Sequence, residues 1–255
     1  MPGPDSDASL DDHALAAALA RRAAELLVEL RGSGLTGRAL GDEGDQRSHT
    51  LLTRGLAAAR PHDAVLSEEG RDGPARLDAA RVWIIDPLDG TREYGEPGRD
   101  DWAVHVALWA GGELAAGAVA LPASGTVLAT PRVEPPAARR DASTPLRIVV
   151  SRSRPPEVAS ELAGRLGAEL VELGSAGAKT AAVVRGEVDA YVHAGGQYEW
   201  DSAAPVAVAR AAGLHASRLD GGPLVYNRPD PYLPDLLVCR AELASTVLEV
   251  LTTSR

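Results

Sequence analysis

Acidic residues follow apolar runs at three places far apart in the chain. Val65-Leu66-Ser67 leads into Glu68-Glu69, Val82-Trp83-Ile84-Ile85 leads into Asp86-Pro87-Leu88-Asp89-Gly90-Thr91, and Trp200-Asp201 opens the stretch DSAAPVAVARAAG. A carboxylate at the end of a buried segment is costly to desolvate without a partner. Acids that end several separate segments therefore point to one meeting place. They cannot gather there unless cations neutralise them, and an all-oxygen ligand set selects hard cations, Mg²⁺ first. Each segment alone has a plain reading: a turn at a strand end, a solvated Glu pair, an N-cap. Their recurrence after apolar residues is what argues for a site.

The segment DPLDGT can be read locally. Pro87 fixes φ and is expected to turn Asp86 out of its strand, so that Asp86 and Asp89 face one point. Gly90 permits close backbone approach, and the N–H groups after it can cradle an anion. Thr91 adds a hydroxyl beside the cations. Metals beside such a cradle suit a phosphate monoester.

Competing motifs fail on context. Gly32-Ser33-Gly34-Leu35-Thr36-Gly37 has the dinucleotide glycine spacing, but it follows a helix rather than a strand. Gly174-Ser175-Ala176-Gly177-Ala178-Lys179-Thr180 resembles a phosphate loop, yet Ala178 stands where glycine is required. A covalent aspartyl-phosphate needs Asp at position 87, where Pro87 stands, so water is the expected nucleophile. The six histidines lack metal-ligand spacing and most read as surface or structural residues, and Cys239 reads as core. Lys179 is the one lysine beside 25 arginines, which singles it out.

The elements that must position these residues follow from periodicity. Helices are predicted over Asp11–Leu30, Asp45–Ala59, Pro156–Leu166, Ala176–Arg185, Asp201–Ala212 and Ala241–Thr252, with a loop over Gly32–Gly44. Strands are predicted over Arg81–Asp86, Trp102–Trp109, Leu114–Leu121, Leu146–Ser151, Leu170–Leu173, Asp189–His193 and Leu236–Cys239, the second and third forming a hairpin. Strands alternating with helices imply a layered α/β fold. The Pro- and Arg-rich stretch 130–145 reads as a boundary or mobile loop between a half over 1–135 and a half over 145–255.

The chain has 255 residues, 45% hydrophobic and 24% charged, enough for one large domain or two small ones. A net charge of −10 argues against a nucleic-acid polymer as partner. No apolar run is long enough for a membrane span, and the acidic start is unlike a signal peptide. The lone cysteine excludes an internal disulfide and any cysteine-built metal site, and a cytoplasmic location is expected.

Glu68-Glu69, DPLDGT at 86–91 and WDSAAPVAVARAAG from Trp200 together resemble the Mg²⁺-dependent, lithium-sensitive phosphatase superfamily. That superfamily holds inositol monophosphatases, fructose-1,6-bisphosphatases and 3′(2′),5′-bisphosphate nucleotidases. SEEG, WIIDPLDGTREY, GRDDWAVHVALW, GSAGAK and LDGGPLVYN look most like its CysQ type, which removes the 3′-phosphate of 3′-phosphoadenosine 5′-phosphate (PAP). The resemblance implies an α-β-α-β-α sandwich and two or three Mg²⁺ per site. Glu68, Asp86 and the Leu88 carbonyl would hold the first ion; Asp86, Asp89 and Asp201 would hold the second. Asp45 would pair with Thr91 to orient the attacking water, and the N–H groups of Gly90 and Thr91 would cradle the phosphate beside Asp89.

On the substrate side, Lys179 with Ser175 would meet a second phosphate. His193 stands where inositol monophosphatases carry an acid, which counts against an inositol-specific site. Tyr94, His193 and Tyr198 are candidates to stack on adenine, and Arg38 is the candidate replacement for a lysine the family carries after its first helix. The resemblance implies hydrolysis of PAP to AMP in sulfate assimilation, and by analogy a homodimer. The alternatives are an inositol-1-phosphate or fructose-1,6-bisphosphate phosphatase, or one promiscuous among these substrates, or a non-catalytic nucleotide or phosphate sensor.

Overall fold

The computed structural model describes residues 7–139 and 143–253. Its helices are α1 (Asp12–Arg31), α2 (Gly37–Ala59), α3 (Thr91–Gly95), α4 (Glu157–Leu166), α5 (Ala176–Val184), α6 (Glu199–Ala211) and α7 (Ala244–Thr253). Its strands are β1 (Ala64–Ser67), β2 (Arg81–Asp89), β3 (Ala103–Ala110), β4 (Glu113–Leu121), β5 (Thr126–Ala129), β6 (Arg147–Ser151), β7 (Glu169–Leu173), β8 (Ala190–Tyr198), β9 (His215–Ser217) and β10 (Tyr232–Cys239). They form two five-stranded mixed sheets, ordered β1-β2-β3-β4-β5 and β7-β6-β8-β10-β9.

The layers follow from alternation along the strands. Trp83 and Ile85 of β2 face α1 and α2, packing with Leu15, Leu19, Leu52 and Leu56. Val82 and Ile84 face the other way, into a core with α5, α6 and the second sheet, where Val149, Tyr191 and Leu236 meet them. Because both faces are buried, β2 reads as a continuous apolar run rather than an alternating one. The far face of the second sheet packs Ile148, Val150 and Leu237 on Leu162, Val247 and Leu251 of α4 and α7. The order is helices, sheet, helices, sheet, helices.

Several boundaries differ from expectation. The predicted loop over 32–44 is helical from Gly37 on, so Asp45 sits inside α2 rather than at its start. Glycine disfavours helix in isolation, but here it answers to packing. A Cβ on Gly41 would fall 2.7 Å from Thr91 Cγ2, and one on Gly44 would fall 2.9 Å from Tyr94 Cε1. Helix α2 thus runs close beside α3.

The stretch expected as a boundary or mobile loop is fastened over 131–139. Val133 is buried in the central core, Arg240 Nη1 donates to Ala137 O at 2.9 Å, and Arg139 Nε lies 3.5 Å from Asp189 Oδ1. Residues 140–142 of that stretch lie outside the described residues, as do residues 1–6 of the acidic start.

Candidate active site

Strand β2 does not end at Asp86; it continues through Pro87 to Asp89. In a regular strand two residues three apart point to opposite faces. Here Asp86 pairs with His105 and Asp89 with Ala103, so three steps on β2 match two on β3. That extra residue is a bulge, and it brings both carboxylates to one side. It also explains how a central strand tolerates a proline. Gly90 follows at φ 87°, the left-handed region, where glycine carries no Cβ penalty.

Asp201 arrives from the helix that follows β8 of the second sheet. It is the third residue of α6, and its Oδ2 accepts a hydrogen bond from Tyr198 N at 2.6 Å. Oxygens of Asp86, Asp89 and Asp201 lie within 4.8 Å of one another. Glu68, just past β1, donates its N–H to Ile85 O at 3.4 Å and lines the same cavity as Asp89 and Asp201. Glu68 is open to solvent as a residue, but its carboxyl faces the other acids.

The electrostatics register this crowding. Burial, then repulsion from Glu68, Asp89 and Asp201, lifts Asp86 well above the usual carboxylate range. Desolvation, then Asp201, pushes Glu68 up to about 8. Burial, then Asp89, pushes Asp201 up to about 6. Asp89 is the exception: burial raises it, but the charge and contact of His105, then Lys179 and the Gly177 N–H, hold it below its ordinary value. Asp86 Oδ2 is buried and accepts from no donor among the described residues. An orphaned carboxylate oxygen beside two further carboxylates fits a hard divalent cation. The residues therefore suit a hard divalent metal ion.

Thr91 and Asp45 come together. Thr91 Oγ1 lies 3.2 Å from Asp45 Oδ1 and 3.1 Å from Leu88 O, and Leu88 N donates to Asp86 Oδ1 at 3.0 Å. Burial, then Glu69, pushes Asp45 up to about 7.

The substrate side is a cavity of about 450 Å³ that Glu68, Asp89 and Asp201 share with Lys179, His193 and Tyr198. Such a volume suits a small-molecule ligand. Ser175 caps α5, its Oγ accepting from Ala178 N at 2.9 Å. Gly177 N donates to Asp89 Oδ2 at 2.7 Å, so the start of α5 is docked on the acids. Lys179 is buried. Its Nζ donates to Gly174 O and lies 5.2 Å from the Tyr191 ring centre; burial lowers it to about 8. His193 Nε2 lies 2.9 Å from Gly196 O. Tyr198 stacks on Trp200 at 4.8 Å and meets Tyr232 edge-on.

Two candidates lie elsewhere. Tyr94 is buried against Trp102 with its hydroxyl donating to Leu27 O at 2.8 Å, so it cannot stack on a ligand. Arg38 is exposed, 3.6 Å from Asp42, and does not line the cavity.

His105 was not read from the sequence as a site residue. It is fully buried, with Nε2 3.1 Å from Asp89 Oδ2 and Nδ1 3.0 Å from Trp200 O. It thereby ties β2 to the start of α6. A lone histidine within apolar residues reads as core, and only the β2–β3 register puts it beneath Asp89. Asp101 was missed as well: its Oδ2 accepts from Gly174 N at 2.5 Å and its carbonyl from Ser175 N at 3.1 Å. Together these two bonds hold the turn before α5.

Comparisons with known proteins converge. The Inositol monophosphatase family profile matches residues 11–252. A protein of Mycobacterium leprae named 3′-phosphoadenosine 5′-phosphate phosphatase is 54% identical over 97% of this chain and 96% of its own length. The Escherichia coli K12 protein named 3′(2′),5′-bisphosphate nucleotidase CysQ is 32% identical over 74% of this chain and 80% of its own. Among solved structures, CysQ from Bacteroides thetaiotaomicron matches with a TM-score of 0.76 at 25% identity, over 91% of this chain and 98% of that one.

Proposed function

The chain belongs to the inositol monophosphatase family, and from that premise we propose that it hydrolyses the 3′-phosphate of PAP, yielding AMP and phosphate. The convergence of Asp86, Asp89 and Asp201 around an oxygen that lacks a donor carries the reaction class. The substrate rests on the name borne by the 54% identical mycobacterial relative. In that role the protein works in the cytoplasm and clears a by-product of sulfate assimilation. We take 1–135 as the half that supplies most acids and 145–255 as the half that supplies Asp201 and the substrate wall.

Glu68, Asp86 and the Leu88 carbonyl would hold one Mg²⁺, and Asp86, Asp89 and Asp201 a second. Bound there, the ions supply positive charge for the phosphoryl oxygens and an acidified water. The chain's own groups do the positioning. Asp45 accepts from the Thr91 hydroxyl, which leaves Thr91 Oγ1 lone pairs to orient the attacking water. The N–H groups of Gly90 and Thr91 receive the phosphate. Ser175, Lys179 and His193 form the substrate wall, where Lys179 offsets the negative charge of acids and ligand.

Phosphate release from PAP, inositol-1-phosphate and fructose-1,6-bisphosphate, each with Mg²⁺, with a chelator and with Li⁺, tests this reading. PAP should give the highest kcat/KM, lost on chelation and reduced by Li⁺. A higher value on inositol-1-phosphate would replace the substrate assignment. No release from any of the three would favour a sensor.

A further inference from the structure

We propose that Arg154, with the hydroxyls of Ser151 and Ser153, anchors the substrate phosphate that is not cleaved. This rests on the bisphosphate reading above and assigns residues to its second anion. Strand β6 lies between β7 and β8 and runs parallel to both. The ends of parallel strands are where open sheets receive ligands, and β6 ends at Ser151. Ser151, Ser153 and Arg154 line the same cavity as Asp89 and Asp201.

The turn at 151–154 is built to present these groups together. Arg154 N donates to Ser151 Oγ at 3.4 Å, and Ser151 Oγ lies 3.3 Å from Ser153 Oγ. Arg152, between the serines, faces the other way. It donates to Glu93 Oε1 at 2.6 Å and Glu96 Oε1 at 2.7 Å, fastening the turn to α3 and its continuation. Arg154 is exposed and has no carboxylate at ion-pair distance among the described residues.

The cavity's other cation is committed. Lys179 is buried, donates to Gly174 O and sits over Tyr191. A flexible phosphate needs an unspent donor, and a guanidinium offers two parallel N–H groups to two phosphate oxygens. The serine hydroxyls can serve a third. A monophosphate positioned on the acids leaves Arg154 in water.

Steady-state kinetics on PAP and on 3′-AMP, which lacks the second phosphate, would compare the wild type with Arg154→Gln and Arg154→Lys. For Arg154→Gln, KM for PAP should rise about tenfold or more, and the rise for 3′-AMP should be several times smaller. Arg154→Lys should recover part of the loss. In calorimetry, Arg154→Gln should weaken binding of 5′-AMP but not of adenosine. Equal KM changes on both substrates, or unchanged 5′-AMP binding, would overturn the assignment. If the wild type fails to hydrolyse PAP, the proposed function fails, and the 5′-AMP comparison still decides Arg154.

Discussion

At the scale of single residues, the acids proposed to carry the chemistry also carry a cost. Asp201→Asn keeps an oxygen able to accept from Tyr198 N but removes a charge. It should lower kcat by ~10²-fold or more, while the metal-free melting temperature should not fall; unchanged kcat would remove Asp201 from the mechanism. The raised carboxyls also set a pH dependence. Asp45 at about 7 and Glu68 at about 8 hold protons in the folded, metal-free protein that an unfolded chain, titrating near ~4, has released. Stability should therefore fall as pH rises from about 7 to about 8. In that window His193 and His215, lowered by burial, are neutral when folded and mostly neutral when unfolded, and like Lys179, held at about 8, they pull only weakly the other way. Thermal melts in a chelator across that window should decline, and added Mg²⁺ should restore more at pH 8 than at pH 7; a flat profile would mean the carboxyls do not titrate as a crowded set. These acids were legible in the sequence because a charge at the end of an apolar run is conspicuous. His105 was not, since nothing local separates it from an ordinary core histidine.

At the scale of elements, close approach decides more than propensity. The start of α5 lies so near the acids that a Cβ on Gly177 would overlap His105 Nε2 and crowd Ala103 Cβ. Gly177→Ala should cost ~1–3 kcal/mol of stability and lower kcat by shifting the N–H that holds Asp89. A denaturant midpoint together with phosphate-release rates would check both, and an unperturbed variant would mean the helix is less tightly docked than described. Sequence reading found every helix of eight or more residues among those described, and most strands, because periodicity survives in them. It misplaced the start of α2, where Gly41 and Gly44 imitate a loop but serve contact with Thr91 and Tyr94. It did not mark β1, β5 and β9, of four, four and three residues, which are too short to show a period. The bulge at Asp86–Asp89 was invisible too, because it exists only relative to β3.

At the scale of the molecule, the acids span the two sheets: Asp86 and Asp89 end a strand of one, and Asp201 begins the helix that follows β8 of the other. A cation held by all three would link the two sheets. Ligand that binds only the folded state stabilises by ~2.7 kcal/mol at a hundredfold excess over Kd. Mg²⁺ should slow amide exchange together at the end of β2 and the start of α6, and Asp201→Asn should uncouple the two. Protection confined to one side would argue against a shared ion. Asp201 also stitches the opening turn of α6 through Tyr198 N, so the proposed metal ligand doubles as local scaffolding. A descendant that abandoned turnover could not let this position drift freely. To keep its shape it would have to retain a short side chain able to accept that bond, asparagine or serine, and such a replacement would mark a retired enzyme.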